Sequence, residues 1–385
     1  MKEQLPAEWN QFILKDVSFV NLMMRRIYNV LIVANPYDAF MLEDDGRVEE
    51  KIYNEYMELG LRYPPTFTQV STIQEAESVL ATVDIDLVIC MPGNADNDAF
   101  DVARAIKAKF SDIHCVVLTP FSYGITKRMA HENLSIFDYV FCWLGNTNLI
   151  LSIIKLMEDH MNLEHDIEEA GVQMILLVED SIRFYSSILP NLYTYILKQS
   201  QNFATEALNK HAATMRMRGR PKVVLARTYD EAWDIYMRFK DHCLGVISDV
   251  RYPIHPTEGK DRTSPLGDES PMDPEAGLKL LRAIRKEDEY VPLILESSEL
   301  ENREKAKAEH FHFVDKNSKK MGLDLYRLLE RHMGFGDFIF RDPKTYAEIM
   351  RVRNLKELQD NIFKIPNESM LYHVSRNHMS RWLCA

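Results

Sequence analysis

Short apolar runs alternate with stretches of helical periodicity in the second half of the chain. Four of these runs cover residues 174–178, 244–248, 293–296 and 313–315. Apolar strands that alternate with helices in this way form a parallel sheet with helices on both faces. We therefore expect a doubly wound α/β unit in this half of the chain.

A similar series of runs occurs in the first half. It comprises residues 30–34, 67–70, 87–90, 115–118 and 139–142, again with helical patterns between the runs. A helical stretch at 146–169 separates this series from the second one. Because the same order of elements occurs twice, the pattern predicts two α/β units joined by that helix, one at 28–160 and the other at 171–335.

Polar residues stand where the strands of the second unit end. They are Glu179 and Asp180, then Asp249, Ser297 and Lys316. Because the carboxyl ends of parallel strands meet at one edge of a sheet, we expect these side chains to form a single site. A phosphoryl group moved onto a carboxylate adds negative charge, so such a site needs a divalent cation and a cationic side chain. The edge therefore fits phosphoryl chemistry on aspartate.

The segments MILLVED, GVISDVRYP, VPLILESSE and FHFVDK, in this order, resemble a response-regulator receiver domain. The resemblance implies a flavodoxin-like sheet of five strands in the order 2-1-3-4-5. It implies that Asp249 is the phosphoacceptor and that Lys316 contacts the phosphoryl oxygens. It further implies that the hydroxyl of Ser297 senses phosphorylation and that Phe313 is the aromatic switch residue.

The same resemblance implies a Mg²⁺ site. Its ligands would be Asp180, Asp249, the backbone carbonyl of Arg251 and, through water, Glu179, because Mg²⁺ prefers oxygen ligands and keeps several waters. A phosphatase or another Mg²⁺-dependent hydrolase could use the same acidic cluster. Such an enzyme would be expected to carry a second catalytic carboxylate two residues after the nucleophile, where this chain has Arg251.

The second unit departs from the receiver pattern in three places. Asn317 replaces the usual proline after Lys316. An additional stretch at 199–221 ends in a basic run, which comprises Lys210, Arg216, Arg218, Arg220 and the next residue, Lys222. We interpret this run as a solvated face, since no aromatic residues interleave it to stack on nucleic-acid bases. A long polar loop at 251–274, rich in Pro and Gly, follows the acceptor position and is expected to be flexible.

The first unit has lost the corresponding chemistry. Alignment of the two units places Ala34 and Asn35 at the acidic pair and Met91 at the acceptor position. Thr119 keeps the hydroxyl position, but Cys142 occupies the position of the lysine. A methionine cannot accept a phosphoryl group, and an Ala-Asn pair holds Mg²⁺ poorly. We interpret this unit as a pseudo-receiver domain retained for structure or protein contacts.

Composition narrows the class of protein further. The chain has 385 residues and a formal net charge of −12, so it would repel the phosphate backbone of a nucleic acid. Its five cysteines show no paired spacing, which favours reduced thiols in a cytoplasmic protein. We found neither a targeting signal nor an apolar stretch of the roughly twenty residues that span a membrane. We predict a cytoplasmic protein without nucleic-acid or membrane partners.

Both ends of the chain are expected to be helical. Residues 8–27 have an amphipathic pattern, so we assign 1–27 to an N-terminal helix. Residues 346–365 and 368–385 have helical spacing, and 336–385 is interpreted as a helical tail that begins a further domain. The run KIPNESMLYHVSRNHMSRWLCA resembles the segment that joins receiver-like modules to a phosphoenolpyruvate synthase or pyruvate phosphate dikinase-type region.

These observations predict a phosphorylation-controlled regulatory module of the two-component type, not an enzyme in its own right. The phosphodonor would be a histidine kinase or a phosphotransfer protein, and the cofactor would be Mg²⁺. Two alternatives stay open. One is the regulatory region of a phosphoenolpyruvate synthase-like phosphotransferase, and the other is an unphosphorylated scaffold for oligomerisation. An exposed apolar stripe of Leu371, Val374 and Trp382 would favour a homodimer.

Overall fold

The first half of the molecule is a parallel five-stranded sheet with helices. The computed structural model describes residues 21–44, 47–91, 99–120, 137–205, 217–255 and 272–384. The strand order of the first sheet is β2-β1-β3-β4-β5. Its elements are β1 (Asn29–Val33), α1 (Pro36–Asp44), α2 (Val48–Glu58), β2 (Thr66–Val70), α3 (Ile73–Thr82), β3 (Leu87–Cys90), α4 (Ala99–Lys109), β4 (His114–Pro120), β5 (Tyr139–Trp143) and α5 (Asn148–Ala170).

The second half contains another parallel five-stranded sheet, of order β12-β11-β8-β6-β7, and a two-stranded antiparallel pair, β9 and β10. Its elements are β6 (Met174–Val178), α6 (Ile182–Thr205), β7 (Lys222–Ala226), α7 (Tyr229–Phe239), a 3₁₀ turn (Lys240–His242), β8 (Cys243–Asp249), β9 (Tyr252–Pro253), β10 (Met272–Asp273), α8 (Ala276–Glu287), β11 (Leu293–Ser297), α9 (Asn302–Ala308), β12 (His312–Asp315) and α10 (Met321–His332).

The two sheets have the same topology. Counted along each unit, both have the strand order 2-1-3-4-5, so the expected flavodoxin-like α/β fold is confirmed. Every residue of β6, β7 and β11 is buried, as in strands that are covered by helices on both faces. The four cysteines whose side chains are described are buried and form no disulfide.

Helices α5 and α6 lie between the two sheets. The hydroxyl of Tyr185 on α6 donates a hydrogen bond to the carbonyl of Val140 on β5. The backbone N–H of Cys142, also on β5, donates to Oγ of Ser186 at 2.9 Å. Apolar residues of both sheets belong to one continuous hydrophobic cluster. The edge strand of the first sheet is therefore covered by the first helix of the second unit, and the two units share a core.

A buried ionic network lies along α5. Arg220 bonds to Asp159 at 2.7 Å, and Lys222 bonds to Asp166, also at 2.7 Å. The hydroxyl of Tyr193 donates to the same Asp159. Our interpretation of the basic run as a solvated face is therefore wrong for Arg220 and Lys222. They are buried because carboxylates about sixty residues earlier in the chain neutralise them, and a local charge pattern does not reveal such partners.

The C-terminal region is only partly helical. It contains a hairpin of β13 (Phe338–Arg341) and β14 (Glu348–Val352), then α11 (Leu355–Asn361), a 3₁₀ turn (Ile362–Lys364), α12 (Asn367–Val374) and α13 (His378–Cys384). The prediction of a helix at 346–365 is wrong in its first part. The carboxylate of Asp342 accepts hydrogen bonds from the N–H groups of Lys344 and Thr345, which forms a turn directly before the first residues of the predicted helix.

The expected apolar stripe on the last helix is also corrected. Asn377 has a φ of 58°, and the chain bends there between α12 and α13. As a result Trp382 is buried, and its indole N–H donates to the carbonyl of Gly336 at 2.8 Å. Leu371 and Val374 stay exposed on the other helix. The three side chains therefore do not form one surface.

Most of the predicted N-terminal helix, residues 1–20, lies outside the described residues. The segment 22–28 that follows is not helical, although Leu22 and Ile27 are buried as expected from their apolar character. No helix in the described part of the chain combines the length and the apolar character needed to cross a membrane.

Candidate functional site

Three carboxylates meet at the carboxyl edge of the second sheet. Glu179 and Asp180 follow β6, and Asp249 ends the neighbouring strand β8. One oxygen from each of these side chains lies within 4.8 Å of the others. In the part of the chain that the structure describes, these three residues are the one cluster of carboxylate, histidine or cysteine side chains close enough together to hold a metal ion. The donors are all oxygens, which is the ligand set that Mg²⁺ requires.

Lys316 supplies the positive charge of the site. Its ammonium group lies 2.8 Å from Oδ1 of Asp249 and also bonds to Glu179. Its Nζ is 4.4 Å from the centre of the Phe184 ring. Burial by itself would lower the pKa of Lys316, but the charges of Glu179, Glu296 and Asp249 outweigh it and raise the pKa above its usual value. The lysine is therefore a permanent cation in contact with the predicted acceptor.

The carboxyl groups hold their protons more tightly than usual. Burial, followed by the charge of Asp249, raises the pKa of Asp180 from 3.8 to about 6. Burial raises the pKa of Glu179 well above 4.5, although Lys316 opposes the shift. Like charges crowded into a partly dry site disfavour ionisation in this way. A divalent cation would relieve this repulsion, so the electrostatics agree with the donor set.

Glu296 is a site residue that the sequence reasoning did not assign. It lies in β11 directly before Ser297, is fully buried, and neither of its carboxylate oxygens has a hydrogen-bond partner among the described residues. Burial raises its pKa to about 7, and Lys316 opposes the shift. A signal was present, because a glutamate inside the apolar run LILES is rare unless a buried cation faces it.

Backbone packing fixes the position of Asp249. The backbone N–H of Gly277, at the start of α8, donates to the carbonyl of Val250 at 2.9 Å. A Cβ atom at Gly277 would lie 1.8 Å from the carbonyl oxygen of Asp249, so only glycine allows this approach. Ser248 Oγ donates to the same Asp249 carbonyl and contacts the hydroxyl of Tyr252. The backbone at Asp249 is thus held by close packing against α8 and by the Ser248 hydroxyl.

The structure places the two predicted switch residues next to α9. The hydroxyl of Ser297 accepts hydrogen bonds from the N–H of Glu299 and the side-chain amide of Asn302, both at 3.0 Å. Phe313 on β12 is half-buried, and the guanidinium of Arg303 lies 5.2 Å from its ring centre. In this arrangement the Ser297 hydroxyl is engaged with the start of α9, so its role in sensing phosphorylation stays a prediction.

The structure also describes Asn317 and the start of the loop that follows Asp249. Asn317, which replaces the usual proline, donates its side-chain amide to the carbonyl of Ser298 at 3.1 Å. Lys316 still reaches Asp249, so the replacement does not misdirect it. Arg251 is exposed between β8 and β9, and its carbonyl as a Mg²⁺ ligand stays a prediction. Residues 256–271 of the predicted flexible loop lie outside the described residues.

The carboxyl edge of the first sheet carries different side chains. The side-chain oxygen of Asn35 accepts hydrogen bonds from the N–H groups of Tyr37 and Asp38, so it caps α1. Met91 and Cys142 are buried apolar side chains, and Thr119 is also buried. In the part of this unit that the structure describes, the acceptor and the lysine are absent, as the alignment of the two units predicts.

No protein-family model and no curated protein matches this chain. Among solved structures, the chain is similar to the crystal structure of the signal receiver domain of an HD domain-containing protein from Pseudomonas fluorescens Pf-5. That match has 15% sequence identity and a TM-score of 0.25, and it covers 37% of this chain and 97% of that chain. The fold class assigned here follows from the strand order of the two sheets and does not depend on this similarity.

Proposed function

We propose that the second unit is a phosphorylation-controlled regulatory module of the two-component type, in which Asp249 accepts a phosphoryl group. The observation that carries this proposal is the contact of Lys316 with Asp249, beside Glu179 and Asp180. A surface cluster of acidic residues is common, but a buried lysine that joins strand-end carboxylates is not. It supports a site built to hold extra negative charge.

The reaction would be an in-line transfer. An oxygen of Asp249 attacks the phosphorus, a new P–O bond forms, and the bond from phosphorus to the donor breaks with its electron pair leaving on the donor. Mg²⁺, held by Asp180 and Asp249 and through water by Glu179, would neutralise the charge that accumulates. Lys316 would hold one phosphoryl oxygen, because its ammonium already lies 2.8 Å from the acceptor carboxylate.

The donor would be a histidine kinase, a phosphotransfer protein or a small acyl phosphate. Acceptance of the phosphoryl group would then draw the Ser297 hydroxyl away from Glu299 and Asn302 and change the packing of Phe313 against Arg303. Such a change would alter the surface formed by α9 and β12. The first unit would be a pseudo-receiver that does not accept phosphate. A downstream phosphoenolpyruvate synthase-like region stays a prediction.

Intact-mass measurement after incubation with acetyl phosphate and Mg²⁺ tests the proposal. We expect one phosphoryl group per chain, and none in Asp249→Asn. Asp241→Asn is the matched control, because Asp241 lies just before the same strand at the opposite edge of the sheet and is exposed. A second phosphoryl group, or an unchanged mass shift in Asp249→Asn, would refute the assignment. No uptake, with folding intact, would favour the scaffold.

A further inference from the structure

A small cavity lies where the first unit, the segment before β1 and the segment before β7 meet. Its volume is about 50 Å³. Its lining includes Arg26, Tyr56, Arg62, Lys155 and Arg218. A cavity of roughly 10 to 15 Å³ is large enough for one water molecule. This cavity is several times larger, so it has room for a tetrahedral oxyanion. It lies apart from the acidic edge of the second sheet, and the proposed function makes no use of it.

The lining carries an excess of positive charge. Five of its side chains are cationic and Glu158 is its one carboxylate. Glu158 is already neutralised by Lys155 at 2.7 Å, and Arg220 is neutralised by Asp159. No described carboxylate lies within ion-pair distance of Arg26 or Arg62. Burial, then the charges of Arg26 and Arg62, lowers the pKa of Arg218, which indicates that the three guanidinium groups repel one another.

A buried hydroxyl at the same place lacks an acceptor for its proton. Tyr56 is 1% exposed, and its hydroxyl proton has no acceptor within the described residues, since its charged neighbour, the Lys155 ammonium 4.8 Å from the ring centre, can only donate. Leaving a buried donor without a partner is unfavourable, so such groups often mark the position of a ligand or a bound water. The hydroxyl and the guanidinium groups line one cavity and are all hydrogen-bond donors. They therefore favour an occupant that is rich in acceptors and negatively charged.

Two tyrosines lie at the outer side of the cavity. Tyr28 and Tyr63 line it, are exposed, and pack edge to face with their ring centres 6.3 Å apart. Tyr63 has a φ of 60°, a left-handed backbone conformation that is uncommon for a residue with a side chain. The backbone therefore holds an aromatic ring in position beside the cationic groups, where it could contact an organic group attached to the anion.

We propose that this cavity binds a phosphate group, either as inorganic phosphate or as the phosphate of a small monoester. Guanidinium groups pair with phosphate oxygens in a two-point geometry, and a dianion with four oxygens matches the donors of Arg26, Arg62 and Tyr56. The occupant would contact the segment before β1, the turn after α2, and residues 217–218 before β7. Binding would therefore stabilise the junction of the two units.

Isothermal titration calorimetry and thermal melting of the full chain test the proposal. The protein is titrated with orthophosphate or phenyl phosphate in the presence of EDTA, at constant ionic strength set by chloride. We expect one saturable site and a melting temperature that rises with phosphate. Arg26→Gln and Arg62→Gln should each weaken binding by about tenfold or more, because each removes a charged hydrogen bond. Absence of saturable binding in the wild-type chain would overturn the proposal.

Two controls separate this site from others. Arg25→Gln changes an exposed neighbouring cation that does not line the cavity, and it should leave binding unchanged. Asp249→Asn should also leave binding unchanged. Binding that is lost in Asp249→Asn but kept in Arg26→Gln and Arg62→Gln would place the phosphate at the acidic edge and overturn the inference. That outcome leaves the proposed function standing, so failures of the two ideas are distinguishable.

Removal of the Tyr56 hydroxyl tests the site in a variant that is expected to fold normally. Tyr56→Phe should weaken phosphate binding severalfold, while the melting temperature without phosphate stays the same or rises, because the lost hydroxyl had no acceptor for its proton. Unchanged phosphate affinity in this variant would contradict the assignment. Tighter binding of phenyl phosphate than orthophosphate, abolished by Tyr63→Ala, would identify a monoester as the ligand. Equal affinities would identify the free anion.

Discussion

The carboxyl edges of the two sheets share one backbone topology and differ in chemistry. In the second sheet the strand ends bring Glu179, Asp180 and Asp249 together around the ammonium of Lys316. In the first sheet the matching positions hold a helix-capping asparagine and buried apolar side chains, Met91 and Cys142. The strand order positions a site, but the residues at the strand ends decide whether chemistry occurs there.

The difference has an energetic side. At the charged edge, burial raises the pKa values of Glu179 and Asp180, so keeping these carboxylates ionised at neutral pH lowers the stability of the second unit. The first unit avoids that cost, and its edge strand β5 instead packs against α6 of the second unit. Four pairs of substitutions, each a test variant with a matched control, measure this contrast.

The largest effect is expected from Lys316→Met. The change leaves Glu179, Asp249 and Glu296 without a buried counter-charge, and breaking such a pair costs about 3 to 5 kcal/mol. The free energy of unfolding in urea should fall by that amount near pH 8, and by less in acid, where the carboxyl groups take up protons. Cys142→Ala, at the matching position of the first unit, should cost only about 1 kcal/mol. Equal costs would remove the contrast.

Gly277→Ala should be nearly as damaging. The new Cβ would lie 1.8 Å from the Asp249 carbonyl oxygen, so α8 or the acceptor strand must shift, at a cost of about 3 kcal/mol. Beryllofluoride binding with Mg²⁺ should weaken in the same variant. Gly322→Ala is the control, since its Cβ would meet its nearest atom at 3.5 Å and alanine favours a helix. A stable Gly277→Ala protein with normal binding would show that the acceptor position is not fixed by this contact.

Asp180→Asn should act in opposite directions on metal binding and stability. Loss of a charged ligand should weaken Mg²⁺ binding by about tenfold or more. The folded protein keeps the Asp180 proton up to about pH 6, whereas the unfolded chain releases it near pH 3.8. Stability is therefore lost as pH rises through this window, and the asparagine variant should gain on the order of 2 to 3 kcal/mol above it.

The matched change in the first unit is Asn35→Ala. It removes the cap of α1 and should cost about 1 kcal/mol, with no effect on Mg²⁺ affinity. Mg²⁺ titration and urea unfolding of both variants over pH 4 to 8 give the comparison. A loss of Mg²⁺ binding in Asn35→Ala would reverse the assignment of the two edges.

The smallest effect concerns the junction between the units. Tyr185→Phe removes the hydrogen bond to the Val140 carbonyl and should cost about 1 kcal/mol. Tyr195 lies on the same helix and its hydroxyl has no partner in the described residues, so Tyr195→Phe should be close to neutral. Chemical unfolding measures both. Equal costs for the two substitutions would argue against α6 as a specific contact of the first sheet.

The strands of both sheets could be predicted from the sequence because each is a short, continuously apolar segment between helical periods. Observed bounds such as Leu87–Cys90 and Met174–Val178 coincide with the predicted runs. Residues that follow parallel strands lie at the carboxyl edge of the sheet, so the proximity of Asp180, Asp249 and Lys316 could be predicted from the sequence. The hairpin of β13 and β14 could not, because its apolar residues also fit a helical spacing of three or four positions.

By itself the sequence determined two α/β units, the charged edge of one and the uncharged edge of the other, because strand type and strand-end chemistry are local properties. Tertiary structure alone decided that the buried carboxylate of Glu296 raises the pKa of Lys316, that Arg220 and Lys222 are buried against α5, and that Arg26, Arg62 and Arg218 line one cavity. These arrangements join residues far apart in the chain. Their stability depends on desolvation and charge pairing between distant side chains, and a local pattern carries no record of either.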